Sequence, residues 1–432
     1  MNLESAQIVM INPPSLCVED DRLEVPLGLL YLASAARERE YNDIILYDMC
    51  GCTSEKEIAA RIRNIPEAPI YALSALCTNH EYAKQVVRKI RIESPSAYIV
   101  MGGANPSALP ELTLSETGVD VVVVGEGEDA FVSCIESCFL QQPVKGVVRG
   151  KPRNNIDTYP FPARDLVEAD SYSRRLQGER VLSLLSSRGC IHRCAFCNSI
   201  VMGGGAAKVR YRSSDNVARE IESLRESCRY FRFNDDCFTA NPRLKDLLAR
   251  LSELDITFRI FARIEDLTPE ICRALRDSGC VHVAVGLESL NPDNLSIIGK
   301  AGQIGKERHV QAAKDAGLAV RAFFMVGLPY DTDETVEYYF SRVAELPLDE
   351  FSVYPMIPYP GTRIARHPQQ FGYTIVNTDF RDYVQIGKGK RTCYALRHRN
   401  FEPEEVETWH HRVEQTLLDS GMRHSIDSDV AN

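Results

Sequence analysis

The chain reads as an α/β protein built from two successive parallel-sheet units, with a connector between them and a short, mostly helical tail. Three observations carry that reading. Apolar runs of strand length alternate with amphipathic helical stretches, and they do so twice over. The alternation breaks once, in a proline-bearing segment of low periodicity around residues 141–180. Glycine-rich or polar tips follow the strands at their carboxyl ends, where open parallel sheets bind ligands.

In residues 1–140 the strand candidates are QIVMIN (7–12), DIILYD (43–48), IYALSAL (70–76), AYIVMGG (97–103) and VDVVVVG (119–125). Helical stretches lie between them; in HEYAKQVVRKIRIES, Ala83, Val86, Val87 and Ile90 recur at helical spacing. This pattern predicts a doubly wound, Rossmann-like domain. Its carboxyl edge carries NPP (12–14), CTNH (77–80, with Thr78 and Asn79), GGANP (102–106, with Gly102 and Gly103) and GEGED (125–129, with Gly125, Glu126 and Gly127).

After the 141–180 linker, residues 181–362 resume the alternation with VLSLLSSRG, YFRFNDD, TFRIFARIE, HVAVGLES, VRAFFMVGLP and EFSVYPMIP as strands. Val217, Ile221 and Leu224 share one face of the first intervening helix, and Ser214 and Asp215 can cap its start. Six βα units are too few for a closed eight-fold barrel and predict an open, partial (βα)6 one. The tail, 363–432, shows little strand character and ends in the helical PEEVETWHHRVEQTLLDSG.

Composition narrows the function. With 50 Lys and Arg against 60 Asp and Glu, the net charge of −10 speaks against a dedicated nucleic-acid surface. No run approaches the roughly 18 apolar residues of a membrane span, and the start lacks the basic, apolar and small-residue order of a secretory leader, so a cytoplasmic enzyme is expected. In a reducing compartment, fourteen cysteines are not a disulfide framework, and clustered ones point to metal or redox chemistry.

One cluster stands out. RGCIHRCAFCNS (188–199) places Cys190, Cys194 and Cys197 in a C-x3-C-x2-C array at the end of the second unit's first strand. Zinc sites more often pair C-x2-C elements with a fourth ligand, and buried structural thiols need no such spacing. The loop, with Phe196 before its last cysteine, resembles that of the radical S-adenosylmethionine (radical SAM) superfamily. The resemblance implies a 4Fe-4S cluster held by three thiolates, with the open iron kept for S-adenosylmethionine (SAM). Later strands keep the family's order. FNDDCF (233–238) offers Asn234 and Asp235 to the SAM amino group, ARIED (262–266) offers Arg263 to a carboxylate, and VGLES (285–289) offers Glu288 and Ser289 to the ribose or amino end.

The N-terminal unit resembles the cobalamin-binding domain that precedes the cluster domain in one radical SAM class, through PLGLLYLASAARE, VMGGANPSALPE, VVVGEGEDAF and PFPARD. It lacks the D-x-H-x-x-G segment of cobalt-ligating domains, which implies a cobalamin without a histidine below the metal; His80 is the one candidate at that edge. Cluster, SAM and cobalamin together imply methylation of an unactivated carbon of a small molecule, natural-product-like or nucleotide- or sugar-like. The alternative is a radical reaction without methyl transfer: epimerisation, cyclisation, rearrangement or sulfur insertion. A flavodoxin or ferredoxin is the reductant such an enzyme needs. Cys237, at the barrel mouth, and Cys393, in the tail, are each a candidate hydrogen donor to a substrate radical, a candidate ligand of an auxiliary cluster or an ordinary buried thiol. Lys388, Lys390, Arg391, Arg397 and Arg399 form either a solvated face or a cover over the barrel that binds a phosphate or carboxylate of the substrate.

Overall fold

A computed structural model describes residues 7–202, 208–385 and 392–424. Six parallel strands form the first sheet: β1 (Ile8–Asn12), β2 (Ile44–Asp48), β3 (Ile70–Ser74), β4 (Tyr98–Gly102), β5 (Val121–Val124) and β6 (Gly146–Arg149). Their order is β2-β1-β3-β4-β5-β6, so the winding reverses at β1 and opens a crevice past the carboxyl ends of β1 and β3. Helices cover both faces. Val9, Ile11, Ile99 and Met101 enter one core and Ile8, Met10, Val100 and Val121 the other. Burial on both sides explains why these strands read as continuous apolar runs. β6 was not expected: it lies in the connector, is half exposed along an edge, and so carries no apolar run to announce it.

The connector is tied down at both ends. Ala163 joins the first domain's core, Arg37 makes a bidentate pair with Asp165 at 2.8 and 2.9 Å, and Arg164 reaches the buried Glu220 of the barrel at 3.0 Å.

The second sheet is also parallel and curls around a single core. Its strands are β7 (Leu182–Leu184), β8 (Tyr230–Phe233), β9 (Thr257–Ala262), β10 (Cys280–Glu288), β11 (Ala319–Val326) and β12 (Glu350–Pro355). All six expected barrel strands are present. The tail supplies its helix, Pro403–Asp419, which buries Val406, Trp409, Val413 and Leu417 on the barrel core. Short strands accompany that helix. β13 (Tyr373–Ile375) pairs antiparallel with β14 (Leu396–His398), and β15 (Arg423–His424) adds a seventh strand beside β12. At two or three residues each, they are too short for a periodicity signal.

A charged layer crosses the barrel. Register places Arg232 beside Arg259, Arg259 beside His282, and Arg321 beside Glu350. Glu350 accepts from Arg321 Nε at 2.7 Å, and His282 Nε2 lies 3.3 Å from it. Burial pushes the His282 imidazole down to about 4, with Arg259 adding to it. Burial also pushes the Glu350 carboxyl up, but the His282 contact and the Arg321 charge outweigh it and hold the group at about 2.

The two domains meet in a second charged assembly. Arg188 contacts Glu126 at 3.2 Å and Glu128 at 2.6 Å, Arg210 also pairs with Glu126, and the Arg188 guanidinium lies over the rings of Tyr31 (4.7 Å) and Tyr159 (4.5 Å). No helix among the described residues is long and apolar enough to cross a membrane.

Candidate active site

Gly189 turns the chain out of β7 with φ +91°; a Cβ there would stand 2.4 Å from the Lys208 carbonyl oxygen, so the turn requires glycine. The loop that follows is pinned at its middle. The Ala195 N–H donates to the Ile298 carbonyl at 2.8 Å, and the Ala195 carbonyl accepts from the Ile364 N–H at 3.1 Å. That anchoring turns Cys190, Cys194 and Cys197 onto the wall of one cavity of about 310 Å³. All fourteen cysteines are free thiols. Among the described residues no three ligating side chains converge as they would on a single metal ion. The three thiols line one cavity, on one loop, as the ligands of an iron–sulfur cube would. Burial pushes the Cys190 thiol up to about 12 and raises Cys197 as well. The cationic charge of bound iron would favour the thiolate form there.

The same cavity gathers Phe196, Asp236, Cys237, Arg263, Glu288 and Lys300. Arg263 Nη1 lies 3.8 Å from Cys194 Sγ, while its Nε donates to Glu265 at 2.5 Å. Glu288 sits at the end of β10, where the register with β11 shifts, and it has φ +61°. A non-glycine residue in that region costs of order 1–3 kcal/mol and is characteristic of functional sites. Lys300 Nζ holds it, donating to its carboxylate at 2.8 Å and to the Gly286 carbonyl at 2.7 Å. Cys237 is buried; its thiol, pushed up by burial, lies 3.5 Å from the Thr239 hydroxyl, which donates to Asp266 at 2.6 Å.

Three expected SAM contacts are placed elsewhere, Asn234 lining a different cavity and donating to Glu24. Asp235 is 1% exposed and accepts from the Ser186 amide (3.0 Å) and from the Ser186 and Ser187 hydroxyls, away from the cavity. Its neighbour Asp236 lines the cavity instead, accepting from Ser199 at 2.7 Å. The Ser289 hydroxyl accepts from the Asn291 amide at 3.0 Å and caps a turn. Lys300 gave no sequence signal: it lies on a loop after a short helix, and only the fold brings it to Glu288.

The edge of the first sheet opens into two further cavities. The larger, about 770 Å³, runs from Asn12, Leu76, Cys77, Thr78 and Asn79 down to Arg232, Arg259 and Arg321 in the barrel, with Tyr383 to Gln385 of the tail on its wall. The other, about 430 Å³, lies over Gly102, Gly103, Gly125, Glu126 and Gly127 and reaches Asn198, Ser199, Asn234 and Asp236 on the barrel side. Gly103 has φ +106°, and a Cβ there would be 2.6 Å from the Ala75 carbonyl oxygen. A glycine-floored crevice next to a wide cavity fits the flat ring and long nucleotide tail of cobalamin. Glu126 lines it but is engaged by Arg188 and Arg210, and Asn234 donates to Glu24 at 2.5 Å. His80 lines neither cavity; it is buried against Glu116 at 3.2 Å.

Among the other candidates, Cys393 is buried with Ile357, Tyr383 and Ala395, and Arg397 and Arg399 are exposed outside all three cavities. Lys388, Lys390 and Arg391 lie outside the described residues.

Comparison with known proteins agrees with this layout. Residues 184–343 match the family model for the radical SAM superfamily, and residues 18–135 match that for the B12 binding domain. An uncharacterized methyltransferase of Pyrococcus horikoshii is 31% identical over 389 residues, 84% of this chain and 82% of that one. Bacteriochlorophyllide d C-8(2)-methyltransferase of Chlorobaculum tepidum is 24% identical over 311 residues, 66% of this chain and 65% of that one. The solved structure of the radical S-adenosylmethionine methyltransferase TsrM from Kitasatospora setae, with cobalamin and a 4Fe-4S cluster bound, has a TM-score of 0.68 at 17% identity and covers 96% of this chain and 89% of its own. The cobalamin-dependent S-adenosylmethionine radical enzyme OxsB has a TM-score of 0.63 at 18% identity, over 96% of this chain and 62% of its own.

Proposed function

The chain belongs to the radical SAM superfamily and carries a B12-binding domain ahead of its barrel, and we propose that it methylates a carbon atom of a small molecule. Its cofactors are a 4Fe-4S cluster, SAM and cobalamin. When bound, they supply a single electron, a carbon-centred radical that abstracts hydrogen, and a methyl carrier.

One observation carries the proposal: the three cavities adjoin, with wall residues in common. The cluster cavity and the cavity of about 770 Å³ share Phe261, Phe323, Tyr354, Tyr359 and Gln385. The cluster cavity and the glycine-floored one share Ser199 and Asp236. A substrate at that junction would stand between the radical source and the methyl carrier.

The chain's residues take defined roles there. Cys190, Cys194 and Cys197 hold the cluster, and Arg263 offsets thiolate charge at Cys194. Glu288 and Asp236 offer carboxylates to the SAM amino group, with Lys300 fixing the first and Ser199 the second. Phe261, Phe323 and Tyr354, stacked at 6.1 and 6.2 Å between centroids, form a dry wall that keeps water from the radical. Cys237 keeps its proton at neutral pH and can donate its hydrogen atom to a substrate radical that fails to react. This leaves a thiyl radical that one electron from the external reductant and one proton restore.

The test needs no substrate. Protein reconstituted anaerobically with iron, sulfide and cobalamin is given SAM and a strong reductant, and S-adenosylhomocysteine is measured beside 5′-deoxyadenosine. Both products, with the bound cobalamin methylated, are expected. 5′-Deoxyadenosine alone would move the protein to the epimerising, cyclising, rearranging or sulfur-inserting radical enzymes.

A further inference from the structure

The cluster loop has a second opening. A groove of about 520 Å³ is lined by Cys194 and Cys197, and it shares no other residue with the cavity that holds Glu288 and Arg263. Its remaining walls carry Arg149, Arg193, Arg363, Arg366 and His367, and no aspartate or glutamate lines it. All five basic residues are exposed. None of the four arginines forms an ion pair among the described residues; Arg363 donates to the Ile297 carbonyl at 3.1 Å and lies over the Phe371 ring. In a chain with ten more acidic than basic residues, a groove with four unopposed arginines runs against the average. The arginines come from the end of β6, the cluster loop and the tail helix Arg363–Arg366, and only the folded chain brings them together.

The groove also has a position that matters. The cavity on the other side is the one proposed for SAM and substrate, and among the described residues the groove gives a separate approach to two of the three thiols. We propose that it is the docking face for a small acidic one-electron donor protein of the flavodoxin or ferredoxin kind. For flavodoxin, one electron leaves the anionic flavin hydroquinone, which becomes the neutral semiquinone, and enters the cluster, whose charge falls by one; no proton or heavy atom moves. Unpaired arginines steer an acidic partner and make its association sensitive to salt. The proposal rests on the cluster reading above, and the test separates the two.

The test uses Arg149→Glu/Arg366→Glu, two residues that touch neither thiol. Flavodoxin binding to the full-length protein is measured by calorimetry at about 50 and about 300 mM salt, with or without the cluster, and 5′-deoxyadenosine formation is driven by either reduced flavodoxin or dithionite. We expect parent binding to weaken steeply with salt. The variant should bind about tenfold more weakly and lose about tenfold in the flavodoxin-driven rate, while its dithionite-driven rate stays within about twofold. Arg149→Gln/Arg366→Gln should fall between variant and parent. Unchanged flavodoxin binding and rate in the charge-reversed variant would overturn the docking face. So would a loss of iron and of the dithionite-driven rate, which would make these arginines structural. Salt-sensitive capture of an RNA oligomer in place of flavodoxin would reassign the patch to nucleic acid. Failure of the cluster reading shows separately, as a parent protein that forms no 5′-deoxyadenosine even with dithionite.

Discussion

The edge of the first sheet and the mouth of the barrel share a cavity wall, yet they are built by opposite means. The sheet edge presents backbone: Gly102, Gly103, Gly125 and Gly127 leave a shaped void with few free charges. The mouth presents side chains: three thiols, a strained carboxylate and the lysine that holds it. On the proposed function, a large cofactor would be bound by the absence of side chains, and a small cosubstrate and a cluster by their presence. The edge should therefore be sensitive to added bulk and the mouth to lost groups.

The largest expected effect breaks the mouth. Replacing Cys190, Cys194 or Cys197 by Ala should abolish the cluster and leave 5′-deoxyadenosine below about 1% of the parent rate, read by iron content and chromatography. The matching change at the edge is Gly103→Ala. Its Cβ would be pressed onto the Ala75 carbonyl in a backbone conformation that costs an alanine about 1–3 kcal/mol. Cobalamin retention should fall about tenfold while iron content is unchanged, so visible absorbance at the two cofactor bands separates the halves. Loss of both together would show that the contrast is not local.

Glu288→Gln should weaken SAM binding about tenfold, about 1.4 kcal/mol, with iron retained. Loss of iron instead would make Glu288 a support for the loop. A pH profile sharpens the contrast further, because the barrel's charged layer titrates. His282 is near its ordinary 6.5 when unfolded and about 4 when folded. Its contribution is complete above pH 6.5 and drains away as pH falls toward 4, by up to about 1 kcal/mol per pH unit. Glu350, held at about 2, adds a further loss below its unfolded value near 4.5. Melting temperature should drop between pH 6.5 and 4, and His282→Gln should flatten that limb. The smallest effect is at Ser289→Ala: the hydroxyl only caps a turn, so SAM affinity should stay within about twofold by calorimetry.

The same contrast governs what the sequence alone reveals. Strands buried on both faces announce themselves as apolar runs, so both sheets were legible, while β6 and the tail's short strands at exposed edges were not. The cluster loop was legible because its chemistry lies within eight consecutive positions. Asp235 and Asp236 could not be told apart, since β8 ends at Phe233 and alternation no longer fixes which carboxylate faces inward. Glu126 read as part of a cofactor edge because the arginines that engage it lie far along the chain. Lys300 and the four arginines of the groove, likewise, become a group only through tertiary contact.

The joint between the domains bears on how the chain is made. Glu126 is separated from Arg188 by 62 residues and from Arg210 by 84. The first domain leaves the ribosome well before either arginine does. Until then Glu126 and Glu128 lack these partners on the surface that will later be covered. Arg188 lies two positions before Cys190, so the first arginine of the joint emerges almost together with the first cluster ligand. The first contact of the joint and the first cluster ligand thus lie on the same short stretch of chain, while Arg210 completes the joint later.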